Sequence, residues 1–338
     1  MSAMSAKTHS GQGAKRILQE PLNSHRLLVD AVKRCAEERG LSFASYSQGW
    51  ILELSNTSKK RLVYGYDFGL NRSAIFQMMN DKAGFSDACI REGLPAVPHK
   101  VFLHPRLQGY VPGDGNWPAI REAFESWGND VVVKNNAGTG GKEVTRVQSI
   151  RALEQATFSL FQVSRSICLS PFLPLQREVR VVTVNGQSLL AYEKERTTLL
   201  GDGRSPLSSL IAEAGLDVAH AATEPVDFLT GSSVNLFDVP NAGQAILLDW
   251  RHNLGQGAVP VLIDLKDDHP ALRLAAKIQS VLDLKMASID LVETSSGWYV
   301  LEANSGVMLE HLSQVLDSDG LYAKTIYGAA LDALFMSI

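Results

Sequence analysis

The stretch VVVKNNAGTGGKEV, residues 131–144, runs an apolar segment into Lys134 and then gathers Gly138, Thr139, Gly140 and Gly141. Glycines let backbone N–H groups come close to phosphate oxygens, and a lysine at a strand end sets a positive charge beside them. That is phosphate-binding chemistry. Two familiar glycine loops do not fit. A Walker A loop needs Gly where Asn136 stands and Ser or Thr where Glu143 follows Lys142. A dinucleotide G-x-G-x-x-G lacks its third glycine here. Alone, the loop reads equally well as a hairpin turn, so it needs partners.

Its partners are acidic and lie far downstream. Asp290 ends the segment MASID, and WYVLEAN delivers Glu302 and Asn304. Positions 302 and 304 of one strand face the same side. Two carboxylates and an amide carbonyl form an all-oxygen set suited to Mg²⁺ and nucleotide phosphates. The alternative is a solvated strand face. The apolar flanks Ile289, Leu291, Val300 and Leu301 argue instead for a shielded face whose charges need compensation. In WRHNLGQGAVP, Arg251 and Asn253 stand beside Gly255 and Gly257. Apart from Asp249, Arg251 has no nearby carboxylate, so it is either an anion contact or a plain surface arginine. In QREVRVV, Glu178 and Arg180 share a strand face, where an ion pair across the face is the simple reading.

These residues need a scaffold. At 338 residues the chain holds about two domains of roughly 150 residues each. With 45% hydrophobic and 20% charged residues, it reads as an ordinary folded chain and not as a disordered or collagenous one. Residues 1–20, rich in Ser, Gly, Ala and Lys without apolar period, are expected to form a disordered tail. Over 21–72, Leu27, Leu28, Ala31, Val32 and Cys35 recur at helical spacing up to Gly40, and SFASYS, GWILELS and RLVYGYD follow as strands. Between Ser73 and Arg91 the spacing is helical again. WPAIREAFESW and IRALEQATFSLF read as helices, and DVVVK and SICLS as strands, which brings the second stretch to 172. Over 173–338, REVRVVTVNGQSLLAYEKER is a hairpin turning at Asn185 and Gly186. ILLDW, ASIDLVE and WYVLEAN are strands, while HPALRLAAKIQSVLDL and GLYAKTIYGAALDALF are helices. Residues 216–245 show no clear period. The fold class is mixed α+β.

Charge and cysteine content narrow the function. Lys plus Arg number 32 and Asp plus Glu 36, a formal net charge of −4, so no global field recruits nucleic acid. Three scattered cysteines support neither a disulfide framework nor a zinc site, and a reducing cytosol fits them. No apolar run approaches the roughly 18 residues of a membrane span, and no signal peptide is apparent. A cytoplasmic protein that binds neither membrane nor nucleic acid is expected.

Taken in order, these elements resemble the ATP-grasp superfamily from about Leu22 onward. NDKAGFSDACIREGLPAVP looks like its helix-borne lysine and following turn, VVVKNNAGTGGKEV like its second lysine and phosphate loop, and IDLVETSSGWYVLEANSG like its metal-binding strands. The opening helix and strands, the segment from REVRVVTVNG to GDGRSPLSSLI, and the HNLGQGA run followed by DDHPALRLAAKIQSVLDL look closest to the ATP-grasp region of bifunctional glutathione synthetases and cyanophycin synthetases. The Arg-x-Asn-x-x-x-Gly element falls on Arg251, Asn253 and Gly257.

The resemblance implies two α+β subdomains, 73–172 and 173–338, clasping ATP after a short N-terminal α/β unit. It implies a carboxylate-amine ligase that forms an amide through an acylphosphate and releases ADP and phosphate. Lys82 and Lys134 would bind ATP phosphates, with Gly138, Thr139, Gly140 and Gly141 in a loop from Asn136 to Lys142 closing over them. Phe172 and Leu173 would lie by the adenine, Glu178 by the ribose, and Lys194, or Arg196 beside it, by the γ phosphate. Asp290, Glu302 and Asn304 would hold one or two Mg²⁺, with Mn²⁺ as a substitute. Arg251 and Asn253 would steady the acylphosphate during amine attack. Substrates would be small amino acids or short peptides, and the assembly a homo-oligomer. A regulatory or scaffold protein that binds nucleotide without ligation is the main alternative, and phosphotransfer stopping at a phosphorylated product is another. The chain departs from the family at NSGVMLEH, where a Pro-Gly turn is common, at Ser170, where Glu is common, and over 223–244.

Overall fold

A computed structural model describes residues 26–107, 117–141, 143–216, 225–228, 230–316 and 320–336. The expected tail, residues 21–25, Lys142 and part of 216–245 lie outside the described residues. Packing divides the chain into two compact units, one of His25–Glu195 with Val259–Ile338, the other containing Arg196–Ala258.

The larger unit opens with α1 (Leu27–Glu38), whose buried Leu28, Ala31, Val32 and Cys35 follow the i, i+3, i+4, i+7 spacing of one helix face. Gly40 ends it at a φ of +63°, a left-handed conformation that glycine adopts without a Cβ penalty. Strands β1 (Ser42–Tyr46), β2 (Ile51–Ser55) and β3 (Lys60–Tyr64) then form an antiparallel sheet in that order. The closing helix (Leu321–Met336) packs on α1, where Arg39 forks onto Asp332 at 2.6 and 2.8 Å and Phe68 stacks on Tyr327.

The helical spacing between Ser73 and Arg91 resolves into two helices, α2 (Ser73–Met79) and α3 (Lys82–Arg91). Asp81 breaks the run. In an extended conformation, its carboxylate accepts the Gly84 N–H at 2.7 Å, an N-cap that satisfies one orphan donor and makes Lys82 the first residue of α3.

Two larger antiparallel sheets follow. The first has the order β4 (Lys100–Leu103), β7 (Ser166–Pro171), β5 (Val131–Asn135), β6 (Val144–Val147). Helices α4 (Trp117–Ser126) and α5 (Ile150–Val163) cover it, burying Ile120, Phe124, Val131, Val133, Leu153 and Ile167 in one core. The second has the order β13 (Val259–Leu262), β9 (Gln187–Glu195), β8 (Arg177–Val184), β14 (Met286–Thr294), β15 (Gly297–Asn304). The β8–β9 hairpin turns at Asn185 and Gly186, both at positive φ as a type I′ turn requires. Val179, Val181, Ile289 and Leu291 pack beneath this sheet with Phe85 of α3 and with Ala271, Ala275 and Ile278 of α7 (Pro270–Val281).

The 196–258 unit contains a small sheet, β10 (Thr198–Leu200), β12 (Ala245–Leu247), β11 (Val226–Asp227), and α6 (Leu207–Glu213). Leu207, Ile211, Ile246 and Leu248 form its own core. The strand expected over ILLDW is therefore shorter and begins one residue earlier. Gly201 is obligatory here, because a Cβ would collide with the Asn241 and Pro240 carbonyls. The Ser205 backbone N–H and hydroxyl, and then the Arg204 N–H, bond to Asp202 and hold its carboxyl at about 2.

Candidate active site

Within the larger unit, the glycine loop, α3 and the acidic strands come together. The loop leaves β5 at Asn135, whose carbonyl accepts the Gly138 N–H at 3.1 Å. A Cβ on Gly138 would come 2.9 Å from that of Asn135, and Gly140 and Gly141 sit at φ +72° and +67°, so the glycines serve the loop's own path. Asn136 is buried and clamps the loop to α3. Its backbone carbonyl accepts the Lys82 N–H, its side-chain oxygen accepts the Ala83 N–H, and its amide donates to Asp81 at 2.9 Å. Thr139 is exposed on the loop.

Lys82 reaches from the start of α3 to both sides of the site. Its Nζ lies 2.5 Å from the Gly138 carbonyl and 3.4 Å from Glu302 Oε2. Lys134 is 8% exposed, and its Nζ meets His99 Nε2 at 3.2 Å. Burial first, and to a lesser degree the charge of Lys82, lowers the Lys134 pKa.

Across the second sheet, Asp290 of β14 stands opposite Glu302 of β15 and, on its other side, opposite Arg180 of β8. Arg180 forks onto both Asp290 oxygens at 2.7 and 2.6 Å, and Lys194 lies 3.1 Å from one of them. Burial pushes the Asp290 carboxyl up, but Arg180 and Lys194 hold it at about 2. Lys194 also bonds Glu178 at 2.5 Å. Glu178 and Arg180 do share a strand face, but each pairs across to another strand and not with the other. Burial acts against the charged form of Glu302, yet Lys82 draws its pKa below the usual value.

The oxygens of Asp290, Glu302 and Asn304 fit a hard cation in chemistry: two ionised carboxylates on directly opposed residues, with an amide two residues along the strand. Among the described residues, no group of three His, Cys, Asp or Glu is arranged for a metal, and here the third oxygen comes from Asn304. With its oxygens engaged by Arg180 and Lys194, Asp290 has charge compensation already, whereas Glu302 is held only at ion-pair distance.

Phe172 follows β7. Its N–H donates to the Asp130 carbonyl at 2.9 Å, and its ring lies 3.5 Å from the guanidinium carbon of Arg146, which forks onto Asp130. That N–H is therefore committed within the sheet, and Leu173 is the next residue that could offer backbone to a base.

Arg251 and Asn253 belong to the 196–258 unit, as does Arg196. Arg251 forks onto the buried Asp249, two residues before it, at 2.9 and 2.7 Å. The Asn253 side chain accepts the Gly255 N–H at 2.8 Å, and Gly257 closes the turn at φ +96°.

Sequence reasoning did not single out Asp81 or His99, and it gave Arg180 no part in the site. Asp81 carries a readable signal, a capping Asp three residues before Gly84. Arg180 was visible only as a strand neighbour of Glu178. His99 follows Pro98 with no periodic or motif cue.

Residues 242–325 match the RimK-like ATP-grasp domain. The sequence is 25% identical over 332 residues to cyanophycin synthetase of Trichormus variabilis, covering 91% of this chain and 35% of that protein, and the figures for cyanophycin synthetase of Nostoc sp. are the same. The chain thus spans about a third of the length of these curated relatives. The crystal structure of a bifunctional glutathione synthetase from Pasteurella multocida superposes with a TM-score of 0.53 at 14% identity, covering 93% of this chain and 44% of that one. The chain has the fold of ATP-grasp proteins. Among the described residues, no helix is long and apolar enough to cross a membrane.

Proposed function

We propose that the protein is an ADP-forming carboxylate-amine ligase that joins amino acids or short peptides in the cytoplasm. The position of Lys82 carries this reading: one ammonium lies between the glycine loop at Gly138 and the acidic strand at Glu302. Phosphoryl transfer to a carboxylate needs little covalent help from a protein, only alignment and compensation of the charge that builds on the transferring oxygens. Lys82 and Lys134 would bind the nucleotide phosphates beneath the loop of Gly138, Thr139, Gly140 and Gly141. Leu173, with Phe172, would flank the base. Glu302 and Asn304, with Asp290, would hold Mg²⁺, which when bound offsets phosphate charge. Lys194 would stand at the γ position, anchored by Glu178, and Glu178 would reach the ribose only by leaving that pair. Arg251 and Asn253 would steady the acylphosphate during amine attack.

The test is ADP and phosphate release with ATP, Mg²⁺ and mixed amino acids and dipeptides, using ¹⁸O-labelled carboxylates. Release that requires both substrates, with ¹⁸O appearing in phosphate, is expected. ADP release without an amine requirement would instead mark phosphotransfer alone. Nucleotide binding without any turnover across the panel would favour a regulatory module.

A further inference from the structure

We propose that His99 is the positioning residue for Lys134, aiming its ammonium at the nucleotide phosphate without neutralising it; this rests on the phosphate role of Lys134 proposed above. His99 is 4% exposed, in the segment between α3 and β4. Its Nδ1 lies 2.9 Å from the Val97 carbonyl, which also accepts the buried Ser86 hydroxyl at 2.8 Å. A carbonyl can only accept, so Nδ1 carries the proton and the Nε2 lone pair faces Lys134 at 3.2 Å. The tautomer is set by the backbone, as second-shell carbonyls set it for metal-bound histidines.

The choice of a neutral acceptor has a physical consequence. A carboxylate at this place would form a buried ion pair and compete with the incoming phosphate. An apolar side chain would leave the four-carbon lysine stem to wander. Histidine fixes one of the three ammonium N–H groups and leaves the charge for an anion. The mount is itself anchored to the acidic strand. The Val97 N–H donates to the Val300 carbonyl, and the Val300 N–H donates to the Pro95 carbonyl, both at 2.9 Å. One backbone bracket therefore links Lys134 of the first sheet to β15, two residues from Glu302.

His99→Asn tests this, because it keeps a donor for Val97 but withdraws the acceptor from Lys134. His99→Gln places an acceptor near the Nε2 position. With ADP and a non-hydrolysable ATP analogue as titrants, His99→Asn should weaken binding about tenfold, as expected for a lost hydrogen bond to a charged group. It should leave the KM for the carboxylate unchanged, and His99→Gln should recover most of the loss. In a Lys134→Ala background, His99→Asn should add nothing. Equal weakening with and without Lys134, or unchanged binding by folded His99→Asn, overturns the proposal. Lysine Cε and Nζ resonances recorded without nucleotide separate the two readings. Movement of the Lys134 signal in His99→Asn, alongside unchanged nucleotide affinity in Lys134→Ala, would sink the phosphate role and leave the His99 mount standing. A Lys134 signal unmoved by His99→Asn would sink the mount.

Discussion

Two buried charges, one in each large sheet, are built on different terms. Asp290 is 1% exposed and meets Arg180 on both oxygens and Lys194 on one, so its charge is answered from within the sheet. Lys134 is 8% exposed and meets a neutral imidazole, which orients the ammonium but leaves its charge standing. A buried charge is tolerated when it is paired and hydrogen-bonded. The first is a finished network that stiffens the floor of the site. The second has no carboxylate at ion-pair distance among the described residues, which suits the anion-binding role proposed for it. Lys82 lies between the two regimes, touching the glycine loop and Glu302 at once.

This contrast can be broken by mutation. The largest effect is expected from Arg180→Met, which leaves Asp290 buried with only Lys194 beside it. Breaking one partner of a buried pair costs about 3–5 kcal/mol, measurable by denaturant unfolding at neutral pH. The variant should also lose a pH dependence. Because the folded-state carboxyl of Asp290 sits at about 2, below its unfolded value, its stabilising contribution is complete above the ordinary carboxylate range and fades as pH falls toward that value. The acid limb of the stability curve should therefore flatten in Arg180→Met; an unchanged limb and a loss under 1 kcal/mol would dissolve the distinction between the two sites.

Glu302→Gln should come next, and in turnover more than in folding. Magnesium-dependent activity should fall by about a hundredfold or more, since loss of a group that merely supports a metal ligand already costs about 10–100-fold, while the unfolding midpoint barely moves. An equally active variant would remove Glu302 from the metal set. Lys134→Ala should weaken nucleotide binding by about 1.5–3 kcal/mol through a lost charge-assisted contact. Unlike Arg180→Met, it should leave folding stability unchanged or raise it, because it deletes a buried charge with no carboxylate at ion-pair distance among the described residues. Calorimetric titration with ADP, paired with thermal unfolding, separates the two effects. The smallest change is expected from Asp81→Ala, about 1 kcal/mol for loss of an N-cap, seen as a modest drop in the unfolding midpoint.

Legibility in the sequence followed range. The glycine loop, the alternation that puts Glu302 and Asn304 on one side, and the Asn185–Gly186 turn are local, and each was readable from neighbouring residues. The two-helix break at Asp81 was also local, but its capping signal competed with a helical apolar period that continued through it. The partners of these residues were not readable. Arg180 reaches Asp290 across 110 positions and Asn136 reaches Asp81 across 55, separations at which pattern carries no distance. The closing helix buries itself against α1 and not only against its sequence neighbours.

The sequence by itself determined the residue types present: a glycine loop with lysines beside it, and an oxygen-rich acidic strand in a mixed α+β chain. Backbone conformation and strand alternation are properties of a few consecutive residues, so they survive in one dimension. Only the tertiary structure decided which charges are answered and which are left standing. Arg180 and Lys194 close on Asp290 because β8, β9 and β14 are neighbours in one sheet. Lys134 faces His99 because the Pro95–Val97 segment is hydrogen-bonded to Val300. Charge compensation is a matter of separations of a few ångströms and of burial, and the packed fold sets both.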